Sequence, residues 1–169
     1  MIIRREKNED FKSIYEINYQ AFKQKNESEL IERIRGSKNF VPGLSLVAEK
    51  NGKIVGHLLL SKIKIKGEKV YKSLILAPLA VLPELQKQGI GEKLIKEGLK
   101  KARELGFSSV IVVGHKDYYP KFGFEKASKW NIKCSFEVPD EAFMAIELNN
   151  GALAEKSGIA EFSKEFEIP

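Results

Sequence analysis

The sequence is poor in the residues that build disulfides and metal centres. Its 169 residues include one cysteine, Cys134, and two histidines, His57 and His115. A lone cysteine cannot form an internal disulfide, and two separated histidines do not make the clusters that hold zinc. Neither histidine is close to Cys134 in the sequence, so we expect a small buried thiol rather than a nucleophile. The sequence therefore predicts no metal site.

Long apolar stretches are also missing. No run is long enough to span a bilayer, and no charged and then apolar leader precedes a cleavage site. Hydrophobic residues make up 43% and charged residues 31% of the chain, which is typical of soluble globular proteins. We therefore expect a cytoplasmic protein without a membrane partner. The length suits one domain over 1–169, with a motif-bearing core at 2–148 and a packed extension at 149–169.

The charge is of one dominant sign, with a net value of +6 and a pI of about 9.2. Such a balance favours anionic partners, for example nucleic acid, acidic membranes or a phosphorylated cofactor. The lysines are spread along the chain and lack the interleaved aromatics of a single-strand binding surface, and no helix-turn-helix pattern is present. We therefore expect no nucleic-acid partner, and a solvated surface accounts for most of the lysines.

Hydrophobic periodicity predicts an α/β fold in which strands outnumber helices. Helical patterns cover 8–23, 26–35 and 89–106, and strand patterns cover 2–6, 44–50, 53–66, 70–82, 108–114 and 142–148. The segment "DYYPKFGF" is expected to form a short turn or helix before another strand. Asn51-Gly52 is a strong hairpin signal between two of the strands. Because a helix lies between them, the strands that end near Val81 and Gly114 are expected to be parallel. The tail is expected to add one strand.

One strand carries an unusual residue. The stretch "LILAPLAVL" within 70–82 is apolar on both faces, which places it at the centre of the sheet. Pro78 cannot donate a hydrogen bond to a neighbouring strand. We therefore expect a bulge or local splaying of the sheet at Pro78.

A glycine turn follows that strand and opens the most regular helix of the chain. The turn reads "LQKQGIG", with Gly89 and Gly91 at the start of the helical pattern. Free amides at the start of a helix form an anion site, and glycines let a bulky diphosphate approach the backbone. Lys87 and Lys93 add positive charge nearby. A P-loop is absent, and a dinucleotide fingerprint would need glycine where Leu94 stands.

The segments "LAVLPELQKQGIG" and "YYPKFGF" together resemble the GNAT superfamily of acetyl-coenzyme A-dependent N-acetyltransferases. The first matches a strand ending in hydrophobic-Val-x-Pro and then Gln-x-x-Gly-x-Gly, and the second matches the Tyr-x-x-x-Gly-Phe segment of the family. The order of elements over about Ile2 to Leu148 fits as well. Within the superfamily, the chain is similar to a bacterial branch of predicted acetyltransferases. The resemblance implies a mixed, mostly antiparallel sheet with a splayed central parallel pair and helices on both faces.

The resemblance also implies how acetyl-coenzyme A is held. In this family the central strand parts from its parallel neighbour, and the pantetheine arm binds the exposed main chain as an extra strand would. The implied pantetheine contacts are Leu79, Ala80 and Val81. The implied pyrophosphate contacts are the amides of Gln86, Lys87, Gln88, Gly89, Ile90 and Gly91.

Family chemistry is direct attack of a neutral amine on the acetyl thioester. The resemblance implies Tyr119 as the acid that protonates the departing thiolate, because Tyr119 precedes Phe124 by the family spacing. The adjacent Tyr118 fits the spacing less well. The general base stays open between a chain of water molecules and four side chains: His57, for which a core position is the favoured interpretation, His115, Glu49 and Glu84.

The acceptor is not readable from the sequence. A small metabolite, an antibiotic, a peptide N-terminus and a lysine side chain all remain open as the primary amine. Dimers are common in the family, although no residue here indicates one. The alternative to an enzyme is a protein of the same fold that binds coenzyme A as a sensor and transfers nothing.

Overall fold

A nine-stranded mixed sheet forms the centre of the molecule, in a computed structural model that describes residues 1–167. The strand order along the main path is β1-β2-β3-β4-β5-β8-β6, and β9 pairs with both β3 and β7. The strands are β1 Ile2–Arg5, β2 Ser45–Lys50, β3 Lys53–Lys66, β4 Val70–Val81, β5 Ser109–Val113, β6 Glu125–Lys126, β7 Ile132–Cys134, β8 Phe143–Glu147 and β9 Gly158–Glu161.

Most neighbouring strands are antiparallel, as predicted. The exceptions are the β4–β5 pair and the short β7–β9 pair, which are parallel. Asn51 and Gly52 join β2 to β3 with φ values of 52° and 74°, the two positive angles that a tight hairpin turn requires. The hairpin signal and the central parallel pair are therefore confirmed.

The central parallel pair separates after two residue pairs. β4 is matched to β5 only at Leu74 and Ile75. On its other side, β4 pairs Leu76 with Leu60 and Leu79 with Leu58, so it contains one residue more than β3 over this stretch. That extra residue lies at Ala77 and Pro78, and it confirms the expected bulge. Because a bulge bends the strand that carries it, β4 leaves β5 from this point onward.

Three helices cover the sheet: α1 Phe11–Phe22, α2 Asn26–Arg35 and α3 Ile90–Glu104. Gly98 of α3 packs on Leu58 of β3. Arg35 of α2 binds Glu6 beside His57, the neighbour of Leu58 in the strand. Since successive strand residues point to opposite faces, α2 and α3 lie on opposite sides of the sheet, and the predicted arrangement is confirmed.

α3 packs on the sheet through a continuous buried stripe. Its buried residues are Ile90, Leu94, Ile95, Gly98, Leu99 and Ala102. A Cβ at Gly98 would lie 2.6 Å from a methyl carbon of Leu58, so only glycine allows this close approach of helix and sheet. Leu105 follows the last residue of the helix, Glu104, and is 52% exposed.

The C-terminal segment packs against the edge of β3. Its one strand, β9, pairs Ala160 with Ile65, and the side chains of Leu153 and Ala160 are buried. The expected strand in the tail is thus confirmed, and the strand expected after "DYYPKFGF" is present as the short β6 and β7. The last two residues of the expected extension, 168 and 169, lie outside the described part. No helix within 1–167 is long and apolar enough to cross a membrane.

Candidate active site

The turn before α3 presents a row of free backbone amides. Lys93 is the first residue of α3 whose amide has a hydrogen-bond acceptor. It donates to the carbonyl of Gly89 at 3.1 Å. Within the described residues, the amides of 87–91 donate to no acceptor. Such amides at a helix start carry partial positive charge and bind anions, phosphate above all.

Gln86 differs from the rest of this turn. Its amide donates to the carbonyl of Pro83 at 3.4 Å, so the expectation that this amide is free was wrong. The side chain instead folds back, and its Nε2 donates to the carbonyl of Val81 at 3.1 Å. Gln86 therefore braces the connection between β4 and the turn, and the free amides begin at Lys87.

Two residues of the turn have positive φ angles. Lys87 has a φ of 63° and Gly89 a φ of 88°, so two residues of the turn adopt the left-handed conformation that favours glycine. No atom lies within 4 Å of a Cβ placed at Gly89, and the side chains of Lys87 and Gln88 are exposed. The space in front of the amides is open to a bulky anion.

The open edge of β4 begins beside this turn. The amide of Leu82 donates to a β3 carbonyl at 3.0 Å, and hydrogen-bonded residues alternate along an antiparallel ladder. Ala80 therefore turns its backbone groups towards β3, and its carbonyl oxygen lies 3.3 Å from the Cβ position of Gly56. By the same alternation, Leu79 and Val81, rather than Ala80, present main-chain groups to the open edge.

The loop after β5 carries two adjacent tyrosines. The carbonyl of His115 accepts hydrogen bonds from the amides of Tyr118 at 3.1 Å and Tyr119 at 3.3 Å, which folds the loop into a tight turn. A Cβ at Gly91 would lie 3.0 Å from the hydroxyl oxygen of Tyr118 and 3.7 Å from a methyl carbon of Leu79. The Tyr118 hydroxyl is therefore at the corner where the first turn of α3 meets the open edge of β4.

Tyr119 points to a different part of the loop. Its ring covers Gly114, where any side chain would overlap it, and packs edge-on against Phe124 with the ring centroids 5.6 Å apart. Burial, followed by the neighbouring Tyr118, raises the pKa of Tyr119 to about 12. Burial also raises the pKa of the less enclosed Tyr118. At neutral pH both phenols are protonated and can donate hydrogen bonds.

This combination of splayed strands, free amides and phenols can be compared with known proteins. A family model described as "Acetyltransferase (GNAT) family" matches residues 9–124. The chain belongs to this family. The matched region runs from before α1 to Phe124, so it includes the turn, α3 and both tyrosines.

Two GNAT relatives from Escherichia coli share much of the sequence. The uncharacterized N-acetyltransferase YjhQ is 38% identical over 134 residues, covering 78% of this chain and 74% of YjhQ. The uncharacterized N-acetyltransferase YhbS is 28% identical over 166 residues, covering 98% of both chains. The resemblance identified from the two sequence motifs is therefore confirmed.

Solved GNAT structures agree with the fold. The crystal structure of YhbS from Escherichia coli in complex with CoA superposes with a TM-score of 0.91 at 29% identity, covering 98% of this chain and 91% of that one. A GNAT acetyltransferase from Brucella melitensis in complex with acetyl-CoA superposes with a TM-score of 0.81 at 29% identity, covering 98% and 97%. The predicted fold class is confirmed.

A salt bridge that the sequence did not reveal lies beside the two tyrosines. Nζ of Lys121 lies 2.8 Å from Oε1 of Glu92 and 4.6 Å from the centre of the Tyr118 ring. The hydrogen bond from Lys121 lowers the pKa of Glu92. This contact links the tyrosine loop to the first turn of α3. The two residues are far apart in sequence and match no motif, so only the fold reveals it.

The four base candidates have different environments. His57 is fully enclosed in the core, where burial lowers its pKa to about 3, so it has no access to a substrate. Glu49 is bound by Arg4 at 3.0 Å. His115 and Glu84 are exposed and lie at the ends of β5 and β4. Within 1–167, no cluster of His, Cys, Asp and Glu could hold a metal ion.

Proposed function

We propose that this chain is an N-acetyltransferase that moves an acetyl group from acetyl-coenzyme A to a primary amine. The observation that carries the proposal is the row of free amides at 87–91 directly beside the open edge of β4. A diphosphate and an extended arm with amide groups are the two ligand features that such a surface binds.

The residues present fit this cofactor. The amides from Lys87 to Gly91 would hold the diphosphate, and Gly89 leaves the approach open. The main-chain groups of Leu79 and the amide of Val81, whose carbonyl is bound by Gln86, would hold the pantetheine arm in place of the missing β5 partner. When bound, acetyl-coenzyme A supplies an activated acetyl thioester. Support comes from the two relatives whose structures contain CoA and acetyl-CoA.

The chemistry assigned to the chain is direct transfer. The amine nitrogen forms a bond to the acetyl carbon as the bond from that carbon to sulfur breaks. A main-chain amide on the bulged part of β4 donates to the acetyl oxygen as negative charge develops on it. Tyr119, assigned by its family spacing to Phe124, donates its proton to the departing sulfur. Water, His115 or Glu84 accepts the proton that the amine loses.

The acceptor class remains a primary amine, which a substrate panel can narrow. Purified protein is incubated with acetyl-coenzyme A and amino acids, amino sugars, polyamines, lysine peptides or peptides with free N-termini, and free thiol is measured. We expect thiol release that depends on one class of amine, with the acetylated product confirmed by mass spectrometry. Coenzyme A binding without turnover on any amine would instead support the non-catalytic sensor.

A further inference from the structure

The hydroxyl of Tyr118 reaches the first turn of α3 without a polar partner in the protein. Its oxygen lies 3.0 Å from the Cβ position of Gly91, and it makes no hydrogen bond within residues 1–167. The ring packs edge-on against Tyr119 and Phe122, with the ring centroids 5.2 and 5.3 Å apart. The hydroxyl is therefore free to donate to a ligand, and the position of the ring depends on its neighbours.

Lys121 lies against the face of the same ring. The chain after Tyr118 forms a 3-10 turn over Tyr119–Phe122, in which the amide of Lys121 donates to the carbonyl of Tyr118 at 3.3 Å. This turn brings Nζ of Lys121 to 4.6 Å from the centre of the Tyr118 ring. An ammonium over the face of an aromatic ring is attracted to it, so Lys121 holds Tyr118 from one side.

The same ammonium binds the first turn of α3. Its Nζ lies 2.8 Å from Oε1 of Glu92, the residue after Gly91. In the part of the chain that the structure describes, Lys121 is the one cation within salt-bridge distance of Glu92. Lys121 therefore connects the ring of Tyr118 to the turn that the Tyr118 hydroxyl faces.

The pair is suited to positioning a side chain rather than to stabilising the fold. The side chains of Lys121 and Glu92 are 50% and 41% exposed, and ion pairs with this exposure contribute little to stability. The hydrogen bond from Lys121 lowers the pKa of Glu92, so the carboxylate stays ionised at neutral pH. Loss of the pair should therefore leave the protein folded and change only where the Tyr118 ring lies.

We propose that Lys121 is a positioning residue for the cofactor and that it acts through Tyr118. With Glu92 as its anchor, Lys121 holds the Tyr118 ring where the hydroxyl donates a hydrogen bond to bound coenzyme A. The inference rests on the proposed function for its cofactor site, although it does not depend on acetyl transfer. The competing explanation is that Lys121 only attracts the phosphates of the cofactor by its charge.

Lys121→Met tests the role of the ammonium, because methionine keeps an apolar side chain beside the ring and cannot bind Glu92. Titration calorimetry with coenzyme A on the full chain should show about a fivefold weaker affinity, the loss expected for one neutral hydrogen bond. The value of kcat at saturating acetyl-coenzyme A should not change. Lys121→Arg keeps both contacts, since a guanidinium also binds carboxylates and aromatic faces, and it should restore the affinity. Equal affinity of wild type and Lys121→Met would overturn the proposal.

Glu92→Gln separates positioning from simple attraction. The variant breaks the salt bridge but keeps the positive charge of Lys121 near the cofactor turn. If Lys121 positions Tyr118, coenzyme A should bind more weakly than to the wild type, although a negative charge beside the diphosphate has been removed. Equal or tighter binding would assign Lys121 to attraction alone and refute the positioning role.

A double variant tests whether Lys121 acts through the Tyr118 hydroxyl. Lys121→Met combined with Tyr118→Phe should bind coenzyme A as weakly as Tyr118→Phe alone, because no hydroxyl is left to position. Effects of residues that act together are not additive in this way. Two losses that multiply in the double variant would show that Lys121 acts independently of Tyr118, contrary to the proposal.

Lys129→Met is the matched control. Nζ of Lys129 lies 3.0 Å from Glu125 and 5.0 Å from the centre of the Trp130 ring, so this lysine makes the same two kinds of contact outside the cofactor site. Its loss should leave coenzyme A affinity unchanged, and thermal unfolding verifies that each variant is folded. A loss of affinity as large as that of Lys121→Met would count against a specific role for Lys121.

The wild-type titration separates this inference from the proposed function. If the unaltered chain does not bind coenzyme A, the proposed cofactor site is refuted, and the role of Lys121 is refuted with it. If the unaltered chain binds coenzyme A and Lys121→Met binds it equally well, the cofactor site stands and only the positioning role is refuted.

Discussion

The hydroxyl oxygen of Tyr118 lies against the first turn of α3, 3.0 Å from where a methyl group on Gly91 would be. The same position is 3.7 Å from Leu79 and 4.0 Å from Val81 in the open strand. One phenol therefore reaches the point where the diphosphate end of the cofactor would join its arm. Glycine at position 91 leaves the room that the hydroxyl occupies.

Tyr118→Phe is therefore expected to weaken coenzyme A binding and to leave chemistry unchanged. The loss of one neutral hydrogen bond is worth about 1 kcal/mol, or about a fivefold increase in Kd. Calorimetry measures the affinity, and kcat is measured at saturating acetyl-coenzyme A. Tyr19→Phe, an exposed tyrosine of α1, is the control. A reduced kcat with unchanged affinity would instead assign the acid role to Tyr118.

Tyr119→Phe is expected to have the opposite profile. Removal of a general acid lowers kcat by about a hundredfold, while the ring still packs on Gly114 and Phe124 and coenzyme A binds as before. The raised pKa of Tyr119, about 12, means that the phenol keeps its proton throughout the neutral and moderately alkaline range. Loss of this proton should therefore cause no fall in kcat below a pH of about 12. An unaffected rate in the variant removes the acid role.

The sequence predicted the parts of the site that local patterns encode. Gly89 and Gly91 between a buried strand and an amphipathic helix were enough to locate the turn, and Pro78 was enough to locate the bulge. The direction of individual peptide groups was not predictable. Ala80 faces β3 because of the register of a long-range ladder, and the amide of Gln86 is used by a local turn.

Contacts between distant segments could also not be predicted from the sequence. The position of the Tyr118 hydroxyl depends on a turn around the His115 carbonyl, for which no residue pattern is specific. Glu165 lies in a tail without clear periodicity, and its burial results from Asn39 and Arg33, more than 120 residues earlier in the chain. Electrostatic features that arise in this way require the fold before they can be recognised.

Gly89→Glu should abolish coenzyme A binding. The new carboxylate would stand in front of the free amides and repel the diphosphate. Gly89 has a φ of 88°, so any side chain there also strains the backbone. Gly89→Gln has the same strain and nearly the same size without the charge, and it isolates the repulsion. Calorimetric titration with coenzyme A measures the affinity of each variant.

Gly106→Glu supplies the second control for this experiment. Gly106 lies beyond the other end of α3 with a φ of 90°, and a Cβ there would also have no atom within 4 Å. The substitution therefore adds the same backbone strain and the same charge near α3, but at the end of the helix that is far from the turn. Coenzyme A affinity should be unchanged in Gly106→Glu. Unchanged affinity in Gly89→Glu as well would refute the location of the diphosphate site.

His57 is expected to make the fold sensitive to acid. Its Nε2 lies 2.9 Å from Oγ of Ser45, and that hydroxyl donates to Glu6, so Nε2 carries a proton and donates to Ser45. Burial, and then the charge of Arg35, lowers the pKa of His57 from 6.5 to about 3. Between these values the unfolded chain binds a proton that the folded chain does not. The free energy of unfolding should therefore fall as the pH drops from 6.5 towards 3, by about 1.4 kcal/mol per pH unit from this group.

Urea unfolding at a series of pH values measures this slope, and His57→Gln should reduce it because glutamine does not titrate. The proton resonances of the His57 imidazole give a second, direct measurement on the unaltered chain. They should keep the chemical shifts of a neutral ring at pH 5, whereas the same residue in urea-unfolded protein should be largely protonated there, since its unfolded pKa is near 6.5. A folded-state titration midpoint near 6.5 would contradict the enclosed, neutral histidine.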